Sequence, residues 1–256
     1  MTVKYETPRE HVALITLNRP EKLNAYDRQM RADMADATKR AASDPDVRVA
    51  VITGEGRAFC AGADVSSMDE QYSIEEILNT EYSAFLTAIQ TMPKPVIAAV
   101  NGPAAGIGMT TALTCDLRVM SEDAYLMSAF ANIGLVPDGG LSFLLTQQVG
   151  YARAYQLAVE AEKLDAARAL EWGLVNRVTP ASEVLANALD WASSLTERAP
   201  LALAQTKRAF RAASQQGLHN AMAFEAMAQR SLVASDDCAE GVRALFEKRK
   251  PTFKGK

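Results

Sequence analysis

A chain of 256 residues, 48% hydrophobic and 23% charged, has the make-up of an ordinary globular domain with enough length to bury a sizeable core. Its formal charge of −4 gives no support to nucleic-acid binding. Its three cysteines, Cys60, Cys115 and Cys238, lie far from metal-ligand spacing, and its two histidines, His11 and His219, fall in no hydrolase motif.

In chain order, Val3–Thr7 and Val12–Leu17 read as an antiparallel pair of strands. Asp27–Ala42 reads as a helix ended by Ser43-Asp44-Pro45, and Val49–Thr53 as a strand. Ser73–Met92 reads as one helical stretch, with Ser73-Ile74-Glu75-Glu76 as a capping box and Pro93 and Pro95 beyond its end. Val96–Val100 is a predicted strand, Gly106–Thr114 a helix, Leu117–Met120 a strand and Ala124–Met127 a second short one. After Asp138 the text is mostly helical, apart from a late strand at Val175–Val178. Closing helices are expected near Pro180–Arg198, Leu201–Gln216, His219–Ala234 and Cys238–Lys250, the last capped by Ser235 or Asp236. Strand–helix alternation followed by helices alone predicts an α/β domain with a helical C-terminal region.

Two glycine-bearing loops follow two of the strands. One is Gly54-Glu55-Gly56-Arg57-Ala58-Phe59-Cys60-Ala61-Gly62-Ala63-Asp64. The other is Asn101-Gly102-Pro103-Ala104-Ala105-Gly106-Ile107-Gly108. Either alone reads as a tight turn, and neither matches a nucleotide fingerprint, since Thr111 stands where G-x-G-x-x-G needs its third glycine. Side by side they could aim two backbone N–H groups at one oxygen, as an oxyanion hole does.

With their flanks, these loops resemble the crotonase family of enoyl-CoA hydratases and isomerases. The resemblance rests on Ala58–Asp64, on Lys94-Pro95-Val96-Ile97-Ala98-Ala99-Val100-Asn101-Gly102, on Cys115-Asp116 and on Gly134-Leu135-Val136-Pro137-Asp138-Gly139-Gly140. It extends from Val12 to Phe253 and includes the ending Phe246–Pro251. It implies a spiral core of repeated ββα turns over residues 1–195 and a C-terminal helical trimerisation region over 196–256. It implies a homotrimer or dimer of trimers, an acyl-CoA thioester substrate and no cofactor beyond the CoA of that substrate. The N–H groups of Ala63 and Ile107 would polarise the thioester carbonyl, Ile107 through its N–H alone. Asn24, Ala25, Ala61, Asp64, Gly106, Thr110, Phe130 and Leu135 would surround the substrate, with the stretch 66–77 beside the acyl group. Ser66–Tyr72 reads as a lid or a plain surface loop.

The family's hydratases carry two glutamates that activate water. Their positions fall on Thr110 and Phe130 here, and neither side chain can do that work. Asp138 remains. As Pro-Asp-Gly-Gly before a helix it suits an N-cap. By position it resembles the proton-transfer base of the family's isomerases, and its surroundings look most like the ring-epoxide isomerases of phenylacetate degradation. The expected reaction is therefore a 3-enoyl to 2-enoyl double-bond shift, or opening of a ring-epoxide CoA thioester to an oxepin. A hydratase of low activity, a dehalogenase-like nucleophilic aspartate and a silent acyl-CoA-binding subunit are the alternatives. Asp116 is expected to be structural, Asp64 to cap a turn, and Cys60 and Cys115 to be core residues. After Glu247 the tail carries Lys248, Arg249, Lys250, Lys254 and Lys256 with no acid, and Lys248 is the expected contact to the CoA phosphates. No run of transmembrane length and no apolar leader core are seen, so a cytoplasmic protein without membrane partners is expected.

Overall fold

The computed structural model describes residues 1–67 and 73–256. It begins with an antiparallel pair, β1 (Val3–Arg9) and β2 (Val12–Leu17), followed by α1 (Arg28–Ser43) and β3 (Val49–Gly54). After α2 (Ile74–Glu76), a π-helical segment (Ile77–Tyr82) and α3 (Ser83–Thr91) come β4 (Val96–Val100), β5 (Ala104–Ala105) and α4 (Ile107–Thr114). Next are β6 (Leu117–Ser121), β7 (Tyr125–Met127), α5 (Leu141–Glu160), β8 (Leu164–Asp165), α6 (Ala166–Glu171) and β9 (Arg177–Thr179). Four helices close the chain: α7 (Val184–Thr196), α8 (Pro200–Ala213), α9 (Leu218–Val233) and α10 (Asp236–Glu247).

Six strands form one sheet in the order β1-β2-β3-β4-β6-β9, parallel from β2 onward, and β5-β7-β8 form a second, small sheet. Each turn of the chain gives a long strand to the first sheet, a short one beside it, and a helix. β4, β5 and α4 make one such turn. β3 and Cys60, which bridges to Ala104, begin another. This is the crotonase-like ββα spiral.

Side-chain alternation explains why the central strands are apolar throughout. Ala13, Ile15, Ala50, Ile52, Ala98 and Val100 face the main core with Met30 and Met34 of α1 and Phe85 of α3. Val12, Leu14, Val49, Val51, Ile97 and Ala99 face the other way, against Val184, Ala188 and Ala192 of α7. Helix α8 is tied down by charge. Asp116, already holding the Val96 N–H (2.9 Å), pairs with Lys207 (2.7 Å) and Arg211 (2.9 Å) of α8. Asp116 is structural, as expected. The tail returns to Asp237, whose carboxylate accepts from the N–H groups of Lys254 (2.7 Å) and Gly255 (2.9 Å). Among the described residues, no helix is long and apolar enough to cross a membrane.

Two sequence expectations need correction. Ser73 precedes the helix in extended conformation but its side chain forms no cap, and the long helix is interrupted by the π segment, where the Ser83 N–H reaches the Leu78 carbonyl. The extra residue in that turn brings Tyr82 onto Tyr26 and Phe85, with ring centroids 5.9 and 6.0 Å away. The late strand starts at Arg177, because the Val175 N–H bonds back to Ala169 and the Asn176 N–H to Arg118.

Candidate active site

The two glycine loops touch. A β-carbon on Gly108 would lie 2.3 Å from the Cys60 carbonyl oxygen, and one on Gly62 would lie 3.3 Å from that of Ala105. Only glycine allows this approach. Gly62 at φ +114° and Gly106 at φ +51° also take backbone conformations that other residues rarely adopt.

The direction of the Ala63 N–H follows from its neighbours. The Tyr26 N–H donates to the Gly62 carbonyl (2.8 Å) and the Asp64 N–H donates to the Tyr26 carbonyl (2.9 Å). Successive peptides of an extended strand face opposite ways, so the Ala63 N–H points away from Tyr26. In the second loop the Gly106 N–H is spent on Met127 (2.9 Å), while Ile107 opens α4. Neither the Ala63 nor the Ile107 N–H has a protein acceptor among the described residues. The Ile107 N–H also carries the positive end of a helix.

The Ile107 side chain is more than a bystander. It is 2% exposed, and a β-carbon on Gly139 would lie 2.5 Å from its Cδ1. Besides the N–H expected to act, the side chain therefore has a place of its own, packed on the segment that carries Asp138. Thr110, one turn further along α4, is fully buried and donates to the Gly106 (3.4 Å) and Asp138 (3.3 Å) carbonyls. It ties the second loop to the same segment.

Asp138 is not the cap of α5. Gly140 occupies the N-cap position and no side chain caps that helix. The Asp138 Oδ1 is buried without a hydrogen-bond partner, and burial pushes the carboxyl up to about 6. Such a group can take and return protons near neutral pH. The Tyr82 phenol is pushed up to about 12, chiefly by burial, with the Asp138 charge contributing. Nothing in the sequence marks Tyr82, because the π turn that swings it inward is not a readable pattern. Asp138 lines a cleft of about 450 Å³ between the helical run 78–90 and the start of α5.

The other expected contacts divide. Phe130 is buried, with its ring tip 3.8 Å from where a Gly106 β-carbon would be. The Asn24 side chain is fully buried and turned onto protein groups. Its amide donates to the Glu55 (2.9 Å) and Ala58 (2.8 Å) carbonyls and accepts from the Arg19 N–H (2.9 Å), so it braces the first loop. The Ala25 carbonyl is held by Arg19 (2.6 Å), and the Ala61 N–H donates to Leu23 (3.0 Å). Asp64 pairs with Arg19 (3.1 Å) and caps the turn at Ser66 (3.2 Å), as expected. Leu135 is 49% exposed and does not line the cleft. Cys60 and Cys115 are core residues whose thiols burial pushes up to about 12. Of the stretch 66–77, Ile77 is half-buried against the core, and residues 68–72, with most of the expected lid, lie outside the described residues. Lys248 ends α10 in the left-handed conformation and is exposed.

A spiral α/β core with two unoccupied N–H groups on touching loops and a buried carboxyl on the adjoining segment is the arrangement that acyl-transfer or enolate chemistry requires. Residues 7–256 match the family described as Enoyl-CoA hydratase/isomerase. A probable enoyl-CoA hydratase of Rhodobacter capsulatus is 41% identical over 256 residues, covering 100% of this chain and 98% of that protein. The 1,2-epoxyphenylacetyl-CoA isomerase of Escherichia coli is 36% identical over 254 residues, covering 96% and 95%. The solved structure of an enoyl-CoA hydratase from Bacillus anthracis superposes with a TM-score of 0.96 at 29% identity, each chain covered fully. One from Geobacillus kaustophilus superposes at 0.94 with 36% identity, covering 100% and 99%. The chain belongs to the enoyl-CoA hydratase/isomerase family, whose members act on CoA thioesters.

Proposed function

We propose that the protein is an acyl-CoA isomerase that moves a double bond from C3 to C2. The thioester oxygen accepts from the Ala63 and Ile107 N–H groups. Asp138 takes a proton from C2, negative charge develops on the held oxygen, and Asp138 returns the proton at C4. One base on one face of the substrate suffices for this shift. Opening of a ring-epoxide CoA thioester would use the same N–H pair. The observation that carries the reading is the Asp138 carboxyl, buried, unpartnered and not used as a cap, on a segment seated by Ile107.

Water activation is poorly supported from within, because Thr110 and Phe130 offer no carboxylate where hydratases use two. A hydratase remains the second reading, favoured by the name of the 41% identical relative. Rates on a 3-enoyl-CoA and a 2-enoyl-CoA, measured side by side, test the choice. Isomerisation far above hydration is expected. Hydration equal to isomerisation contradicts the proposal.

We further assign residues 196–256 to assembly as a homotrimer or dimer of trimers, in a cytoplasmic setting and with no cofactor beyond substrate CoA. In support, α9 leaves Leu218, Met222, Met227 and Val233 more than half exposed. Lys248 is assigned to the CoA phosphates. Its neighbour Arg249 is already paired with Glu240 and Glu247 (2.6 Å each), so Lys248 is the better placed of the two.

A further inference from the structure

The cleft beside Asp138 has two unlike walls. Along one run the polar residues Asn79, Ser83, Thr87 and Gln90, with Leu78 and Leu86 beside them. The four polar ones are uncharged. Ser83 and Thr87 are linked to each other (3.5 Å), while the amides of Asn79 and Gln90 make no hydrogen bond among the described residues. The facing wall is apolar: Val136, Pro137, Phe143 and Leu144. Among the described lining residues the only charge is that of Asp138; no Lys, Arg or His takes part.

Resting on the reading of Asp138 as the base, the direction of the acyl group follows. Its C2 and C4 carbons meet Asp138, and this cleft, which Asp138 lines, is the space assigned to whatever lies beyond C4. The volume of about 450 Å³ is within the range of small-ligand sites. We propose that the cleft selects an uncharged acyl group bearing an oxygen function beyond C4, its oxygen facing the Asn79–Gln90 stripe and its carbon skeleton lying on Val136, Phe143 and Leu144. A plain alkyl chain leaves the stripe amides without new partners. A terminal carboxylate fares worst. It would enter a cleft whose one charge has the same sign, with no cation to answer it.

Saturated thioesters separate this inference from the isomerase reading, because their binding needs no turnover. Calorimetric affinities would be measured for hexanoyl-CoA, 6-hydroxyhexanoyl-CoA, 8-hydroxyoctanoyl-CoA and the mono-CoA thioester of hexanedioic acid. At least one hydroxylated thioester is expected to bind ~3- to 10-fold tighter than hexanoyl-CoA, the worth of one hydrogen bond. The dicarboxylic thioester is expected to bind ~10-fold or more weakly than hexanoyl-CoA. Asn79→Leu combined with Gln90→Leu should abolish the hydroxyl preference, read as the ratio of the hydroxylated to the plain thioester's affinity in the variant. Equal affinity for all four thioesters, or tightest binding of the dicarboxylic one, would overturn the inference, as would a hydroxyl preference that survives the double substitution. A 3-enoyl-CoA that binds but does not turn over would instead contradict the isomerase reading alone.

Discussion

Ile107 and Gly139 are fitted to each other so closely that a β-carbon on Gly139 would stand 2.5 Å from Ile107 Cδ1. On the proposed mechanism one residue would thus offer an N–H to the substrate oxygen, while its side chain packs on the segment that carries Asp138. Gly139 also sits at φ +60°. Gly139→Ala should therefore move Asp138 and lower kcat more than it raises KM. Ile107→Ala should cost ~2–5 kcal/mol of stability, as large-to-small core changes do, and lower kcat as well. Steady-state kinetics with thermal unfolding of both variants checks this.

The close approach of the two loops depends on Gly108, where a β-carbon would meet the Cys60 carbonyl oxygen at 2.3 Å. The neighbour there is backbone and cannot swing aside. Gly108→Ala is expected to lower the unfolding midpoint sharply or to prevent folding. Circular dichroism melting of that variant beside Gly217→Ala, where nothing lies within 4 Å, gives the comparison.

Ionisation of the buried Asp138 carboxyl costs the folded state stability. Its carboxyl is raised from 3.8 to about 6, so the folded state holds the proton over a range where the unfolded chain has lost it. Stability attributable to this group is full below about pH 4 and is lost as pH rises through about 6. Asp138→Asn removes that loss. The variant should melt above the wild type at pH 8, with the gap closing at pH 4. Melting curves at the two pH values decide it, and a variant less stable at pH 8 would show that the ionised carboxylate has partners.

How much of this was readable in advance depends on the type of signal. The central strands were legible because burial on both faces makes them continuous apolar runs, as in Val49–Ile52 and Val96–Val100. The cap of the last helix was legible as Ser235 or Asp236, and it is Ser235, whose hydroxyl accepts from the Cys238 N–H three residues on; that Asp27 caps α1 rather than opening it was not read. The cap at Ser73 was not formed, since the π segment follows at once and sequence patterns do not announce a shift from four- to five-residue turns. β5 and β8, of two residues each, exist only through their partners in the small sheet. In the candidate site, Asp138 and the loop residues are named through the family resemblance of their motifs. The bracing role of Asn24, the packing of Ile107 on Gly139 and the inward turn of Tyr82 are tertiary contacts with no local signature.

Lys248 offers an exposed cation beside an Arg249 that is already neutralised by Glu240 and Glu247. Lys248→Glu should raise KM for a CoA thioester at low salt and leave kcat nearly unchanged. The wild-type KM itself should rise with ionic strength as screening sets in. An unchanged KM at low salt would remove Lys248 from the CoA site.

The most direct test of the account is the rate at which Asp138→Asn isomerises a 3-enoyl-CoA. Asparagine keeps the size of the side chain but cannot accept the C2 proton. The account predicts a fall of ~10²–10⁴-fold, the usual contribution of a positioned acid–base group, in a protein that is folded and still binds the thioester. Retention of the wild-type rate within a few-fold would contradict the assignment of Asp138 as the base.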